Sequence, residues 1–289
     1  ERRLLLADDP TLAASLRLEV GELLCDRLSR PAEALLRFRE ILADRNAAEE
    51  VKATATALVE RFLSDEELRL GAAAILSPIY EAKGAHHQLI GLLDLEASAM
   101  DDGRERVARL RRIAEIREHD LGDLDGAIEA YSRACRMAFA EPELGPLLAA
   151  VRRLTALRRC PAVLVALLRD LVHDVIDEEH RRLFTLEVGD LARDELGDSA
   201  LAKEYYQLAL DAGPDDERVL AALEVLLRNT GDHEALCGIL ERKAERHDAD
   251  AEAARRALVE IADLYEVKLG RPADAIATWE RVRAQNGAD

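Results

Sequence analysis

The chain has 289 residues, a net charge of −18 and a composition that is 49% hydrophobic yet only 3% aromatic. Such an acidic balance argues against a nucleic-acid binder, which needs a basic stripe that releases counterions from phosphates. No run of 18 apolar residues offers a membrane span. Ala and Leu carry the hydrophobic content, and Gly and Pro stand mainly between periodic segments, which is the composition of packed helices.

Residues 1–7 read as the last turns of a helix, closed by Asp8-Asp9-Pro10. A helix over 11–28 follows, with Leu12, Leu16, Leu18, Val20, Leu23 and Leu24 at helical rather than alternating spacing. After a break at Ser29-Arg30-Pro31, the next helix, 31–43, shows Ala34, Leu35, Phe38, Ile41 and Leu42 on one face, with Pro31 in the first turn, where its missing N–H costs nothing. Residues 46–63 form a helix with no counterpart later in the chain, an insertion. Helices are expected at 65–82 and 86–100, the second after Gly84, a left-handed cap residue. Regular pairs then run over 103–120 and 123–138, 142–158 and 161–176, 178–195 and 198–212, 215–230 and 233–247, and 250–268 and 271–286. The loops are short, so neighbours are antiparallel. The runs 161–168 and 89–95 could be buried strands taken alone, but both align with 234–243, whose polar content is helical.

A repeat underlies this order. Counted from the Gly of a Leu-Gly turn (Ser29 in the first copy), Ala stands five residues on, at Ala34, Ala127, Ala202 and Ala275, and an aromatic nine on, at Phe38, Tyr131, Tyr206 and Trp279. A small residue lets two helices approach, and an aromatic four positions later on the same face fills the gap beside the next hairpin. Ala134 and Ala209 add a second small position, and Pro214 ends its unit. This second-helix pattern resembles the tetratricopeptide repeat, and the 34 residues from Gly197 to Gly231 match that family's period.

Other steps are longer, 38 from Gly84 to Gly122 and 39 from Gly231 to Gly270, so the larger unit is two hairpins in about 75 residues. Alternate hairpins put Leu164 and Leu236 at the small position, and Gly189 lies eight residues before Gly197 where the family has seven. The resemblance implies a right-handed α-solenoid of antiparallel helix hairpins, all-α, with about 15 helices and a concave groove lined by first helices that binds peptides or protein surfaces. Its units would be 11–100 with the insertion at 46–63, 101–176, 177–247 and a partial 250–289. The Ala/Leu/Arg-rich usage resembles long repeat proteins of high-GC bacteria, and the opening Glu1-Arg2-Arg3, inside a helical pattern, reads as a piece of a longer protein.

Seven residues before each Leu-Gly turn stands an acid: Glu22, Glu115, Asp190 and Asp263. In tetratricopeptide repeats the matching first-helix position faces the groove, so the resemblance implies a row of carboxylates suited to a basic partner segment. The competing reading is that these acids pair with arginines on adjacent helices or simply keep the surface soluble. The Lys and Asn residues with which some family members clamp acidic tails are missing there. Asp170, His173, Asp174, Asp177 and His180 form the most metal-like cluster, but nothing in the neighbouring units converges on it, and it reads as a solvated helix end. Cys25, Cys135, Cys160 and Cys237 are widely spaced, without a C-x-x-C pair, and read as small buried hydrophobes that hint at a reducing, cytoplasmic compartment. No nucleophile–base spacing and no phosphate-binding loop occurs. The sequence therefore predicts a non-catalytic scaffold without cofactor or metal that binds a partner protein or peptide. The alternative is a regulatory or sensor arm of a larger protein with its catalytic domain elsewhere.

Overall fold

The computed structural model describes residues 10–138, 142–175, 177–213, 216–245 and 251–285. Among them are fifteen α-helices and no strand: α1 (Pro10–Asp26), α2 (Pro31–Ala43), α3 (Glu49–Glu60), α4 (Arg69–Lys83), α5 (His86–Ala99), α6 (Gly103–Glu115), α7 (Leu124–Met137), α8 (Leu144–Arg158), α9 (Pro161–Asp174), α10 (Glu178–Leu191), α11 (Ser199–Ala212), α12 (Glu217–Thr230), α13 (His233–Glu245), α14 (Ala251–Asp263) and α15 (Pro272–Gln285). The expected helix at 1–7 and the closing Pro214 lie outside the described residues. The fold is an all-α repeat, and the runs 89–95 and 161–168 are helical, in α5 and α9.

Local chemistry explains the boundaries. Asp102, Asp123, Asp177, Asp198 and Asp216 each accept a backbone N–H of the helix they precede, a cap worth about 1 kcal/mol. Pro31 and Pro161 open α2 and α9. The helix expected over 46–63 is shorter: α3 stops at Glu60 and one 3₁₀ turn, Arg61–Ser64, follows. Asp65 then takes the N–H groups of Glu67 and Leu68 at 2.9 and 3.2 Å, which delays the start of α4 to Arg69.

The helices gather into two compact units, one through Leu154 and one from Thr155. In the first, each helix from α1 to α7 packs on the next; in the second, the same holds from α9 to α15. Contact between successive elements is how repeat proteins are built. In the second unit, Leu186 of α10, Ala202 and Tyr206 of α11, Leu220 of α12, Leu240 of α13 and Leu258 of α14 belong to one buried cluster. In the first, Phe62 of the 3₁₀ turn stacks at a tilt on Phe38, with ring centroids 6.3 Å apart, so the turn after α3 is anchored on a repeat aromatic.

Two kinds of turn alternate. After α4, α8 and α12 the left-handed residue is Gly84, Arg159 or Gly231, and the next N–H reaches back five residues, from Ala85 to Tyr80, Cys160 to Thr155 and Asp232 to Leu227. That is the ordinary Schellman closure. After α1, α6, α10 and α14 the left-handed residue is Ser29, Gly122, Gly197 or Gly270, with φ between +50° and +66°. There the next N–H reaches back six residues, from Arg30 to Leu24, Asp123 to Arg117, Asp198 to Ala192 and Arg271 to Tyr265, at 2.7–2.9 Å. The first helix of these hairpins thus holds one extra residue in its last turn, and in three copies that turn is π-helical, at Ile116–Asp120, Ala192–Leu196 and Leu264–Lys268. The extra residue accounts for the spacing of eight between Gly189 and Gly197 where seven was expected.

Candidate functional site

The four predicted acids sit beside the joint that holds each hairpin with the wide turn. One residue before each acid is a small residue: Gly21, Ala114, Gly189 and Ala262. Ala114 and Ala262 are fully buried. A Cβ added at Gly21 would come within 2.4 Å of the Phe38 ring, and one at Gly189 within 2.7 Å of the Tyr206 ring, so glycine there is required by close approach. On the facing helices Ala34, Ala127, Ala202 and Ala275 are all at most 3% exposed, and Phe38 and Tyr206 are completely buried. Trp279, on the last described helix, remains 39% exposed. Small residue against aromatic, with a small residue one turn earlier on the aromatic's own helix, resembles the packing of the tetratricopeptide hairpin. The fold is an all-α helical repeat.

No family model matches the sequence, and no curated protein matches it. Solved structures similar to the chain include BtubC (BKLC) from P. vanneervenii, at 15% identity over 81% of this chain and 89% of that one, with a TM-score of 0.28. The APC/C hetero-tetramer Cut9-Hcn1 is similar at 13% identity over 98% and 68%, TM-score 0.29. The apo form of the quorum sensor NprR from B. thuringiensis is similar at 15% identity over 97% and 89%, TM-score 0.27. At such scores the likeness carries no argument, and the all-α repeat is read from the packing of the joint alone.

Where the repeat aromatic is tyrosine, its hydroxyl needs an acceptor, and this divides the acids. The Tyr206 hydroxyl donates to Asp190 Oδ1 at 2.7 Å, and Arg218 Nη2 of α12 donates to Asp190 Oδ2 at 2.7 Å. Arg193 adds a third contact to Asp190 at 3.7 Å and lies over the Tyr206 ring, 5.8 Å from its centroid. Burial and then the Asp190 carboxylate push the Tyr206 phenol above its ordinary value. In the copy built on Tyr131 the hydroxyl bonds to Glu118 rather than Glu115, and Arg153 Nη2 reaches Glu118 at 2.6 Å. Burial, followed by Glu118 and Glu115, pushes Tyr131 up to about 12. Glu115 pairs along its own helix with Arg111, at 2.9 Å, and more distantly with Arg112.

The other two copies carry Phe38 and Trp279, neither of which has a hydroxyl. Glu22 is half-buried and Asp263 exposed, and among the described residues neither carboxylate has an ion-pair or hydrogen-bond partner. The division was legible in the sequence in one respect, Tyr against Phe or Trp at the aromatic position. The role of Glu118, four residues before Gly122, had no repeated signal to find it by.

Ion pairs between successive first helices extend the pattern. Arg112 meets Glu81 at 2.7 Å, Arg182 meets Asp216 at 3.0 Å, and Arg228 meets Glu260 at 2.8 Å. Glu224 is held below the usual carboxylate range: burial opposes this, but Lys243 and Arg228 outweigh it. Arginines therefore pair with acids of adjacent first helices, and of the four predicted acids Asp190 does so, through Arg218, beside its tyrosine bond.

The remaining candidates have local roles. The helix carrying Asp170, His173 and Asp174 ends at Asp174, so Asp177 does not share it. Asp177 instead caps α10 through the His180 N–H at 2.9 Å and pairs with the His180 ring. Among the described residues no three His, Cys, Asp or Glu side chains converge as metal ligands, and no helix is long and apolar enough to cross a membrane. The four cysteines are free thiols. Burial raises Cys135 to about 12 and Cys237 to about 11, away from the reactive thiolate.

Proposed function

We propose that the chain is a non-catalytic scaffold that docks a partner protein or peptide on the first-helix face of its wide-turn hairpins, through Glu22 and Glu115 in the first unit and through Asp190 and Asp263 in the second. The partner segment is basic. What carries the reading is a division of labour within these hairpins: the second helices spend their signature side chains on packing, whereas the acid beside the joint keeps solvent access in every copy. Glu115 and Asp190 retain 29% side-chain exposure, and Asp263 is exposed. A chain of net charge −18 attracts a cationic segment over a distance set by the salt concentration, and the local carboxylates fix where it settles. At Asp190 a partner cation would replace the exposed Arg218, an exchange of surface ion pairs worth about 0–1 kcal/mol either way.

The test replaces Glu22 and Glu115 by Gln and Asp190 and Asp263 by Asn in one chain. Partners captured by the native and substituted chains are compared by mass spectrometry and then titrated at rising salt. The reading expects a partner whose binding weakens with salt and is lost, or falls about tenfold, in the substituted chain. A partner bound equally by both chains, with the same salt dependence, would place recognition elsewhere.

A further inference from the structure

The inserted helix α3 leaves an open groove between α2, α3 and α4 that the repeat does not account for. Its volume is about 470 Å³, within the ~300–1,000 Å³ typical of small-molecule sites. Leu42, Ile75, Pro78 and Ile79 form apolar walls, and the space between them exists because Ala43, Ala53, Ala74 and Ala82 are small. Three cations line it. Arg39 is one turn from the end of α2, Lys52 lies in the first turn of α3, and Lys83 is the last residue of α4. Short connections make these three helices antiparallel in turn, so the end of α2, the start of α3 and the end of α4 lie together. The cations therefore gather at one end of the groove. The single acid in the lining, Glu49, pairs with Lys52 at 3.3 Å. Among the described residues neither Arg39 nor Lys83 has a carboxylate partner. Two uncompensated cations at the mouth of an apolar groove, in a chain of net charge −18, select a ligand of defined polarity.

We propose that this groove binds a small aliphatic carboxylate. Its hydrocarbon body lies along Leu42, Ile75 and Ile79, and its carboxylate is held by Arg39 and Lys83 with Lys52 beside them. Burial of the chain supplies most of the affinity, and the charge-assisted hydrogen bonds to the head set polarity. The opposite amphiphile, an aliphatic ammonium, brings a like charge to the same end and is rejected. The site is independent of the acidic first-helix positions, so its failure and theirs are separable.

The experiment is isothermal titration calorimetry of the whole chain with decanoate and, in parallel, with decylammonium. Saturable one-site binding of decanoate and none of decylammonium is expected. Arg39→Gln with Lys83→Gln should weaken decanoate about tenfold, and Ala53→Trp, which fills the groove from α3, should abolish it. Both altered groups lie on exposed surface, and thermal melts establish that each variant is folded; if Ala53→Trp does not fold, the charge pair alone decides. Absence of saturable decanoate heat in the native chain, equal binding of decylammonium, or unchanged affinity in the folded variants would overturn the proposal.

Discussion

Gly189 shows how much of the repeat rests on single atoms. Alanine is normally better than glycine inside a helix by about 1 kcal/mol, yet a methyl group at Gly189 would meet the buried Tyr206 ring at 2.7 Å. The ring has little room to move, because its hydroxyl is tied to Asp190. Gly189→Ala is therefore expected to destabilise the chain by about 1–3 kcal/mol through overpacking. Gly91→Ala, where nothing lies within 4 Å, should stabilise it by about 0.5–1 kcal/mol. Urea denaturation of the two variants side by side checks the contrast, and equal effects would mean that position 189 is not a contact.

The repeat tyrosines make a second residue-scale prediction. Burial and a neighbouring carboxylate raise Tyr131 to about 12 and push Tyr206 up as well. A folded-state value above the unfolded one of about 10 means that stability from these phenols is complete below that pH and is lost as pH climbs through the folded values. Melting temperature should fall as pH rises above about 10. The combined Tyr131→Phe and Tyr206→Phe chain should show a shallower fall, while starting lower at neutral pH by about 1 kcal/mol for each hydrogen bond removed. Parallel slopes would show that the two hydroxyls are not coupled to their acids in the fold.

At the scale of the element, the wide-turn hairpin is the unit that recurs. Ala202 is fully buried between α10 and α12 in the cluster that holds Tyr206 and Leu220. Ala202→Glu should cost about 2–4 kcal/mol through overpacking and a buried charge. Because repeat elements depend on their neighbours, hydrogen exchange should show α10 to α12 losing protection first; an unchanged melting curve would contradict the role given to Ala202. Most of this element was legible in the sequence. The apolar stripes, the short breaks and Pro31 place the helices, and the Ala–aromatic spacing identifies the joint, whereas the capping role of the aspartates emerged only in the fold. The π-turn was visible as an anomaly of one residue between Gly189 and Gly197, but its cause was not, because hydrogen-bond offsets have no residue signature. The early end of α3 was equally hidden, since the Asp65 side-chain turn that delays α4 looks in sequence like any helix start.

At the scale of the whole molecule, the sequence located the acids but not what each one touches. Asp190 serves Tyr206 and Arg218, Glu115 serves its own helix, and Glu22 and Asp263 face no described partner. Those contacts depend on which side chains neighbouring helices bring near, which a single-chain periodicity does not encode. The second helices supply cohesion, and the proposed function places recognition on the first helices. Hydrogen–deuterium exchange of the chain with and without its captured partner tests that assignment most directly. Binding should protect amides of α1, α6, α10 and α14 more than those of α2, α7, α11 and α15. Protection concentrated on the second helices, or none on the first, would contradict it.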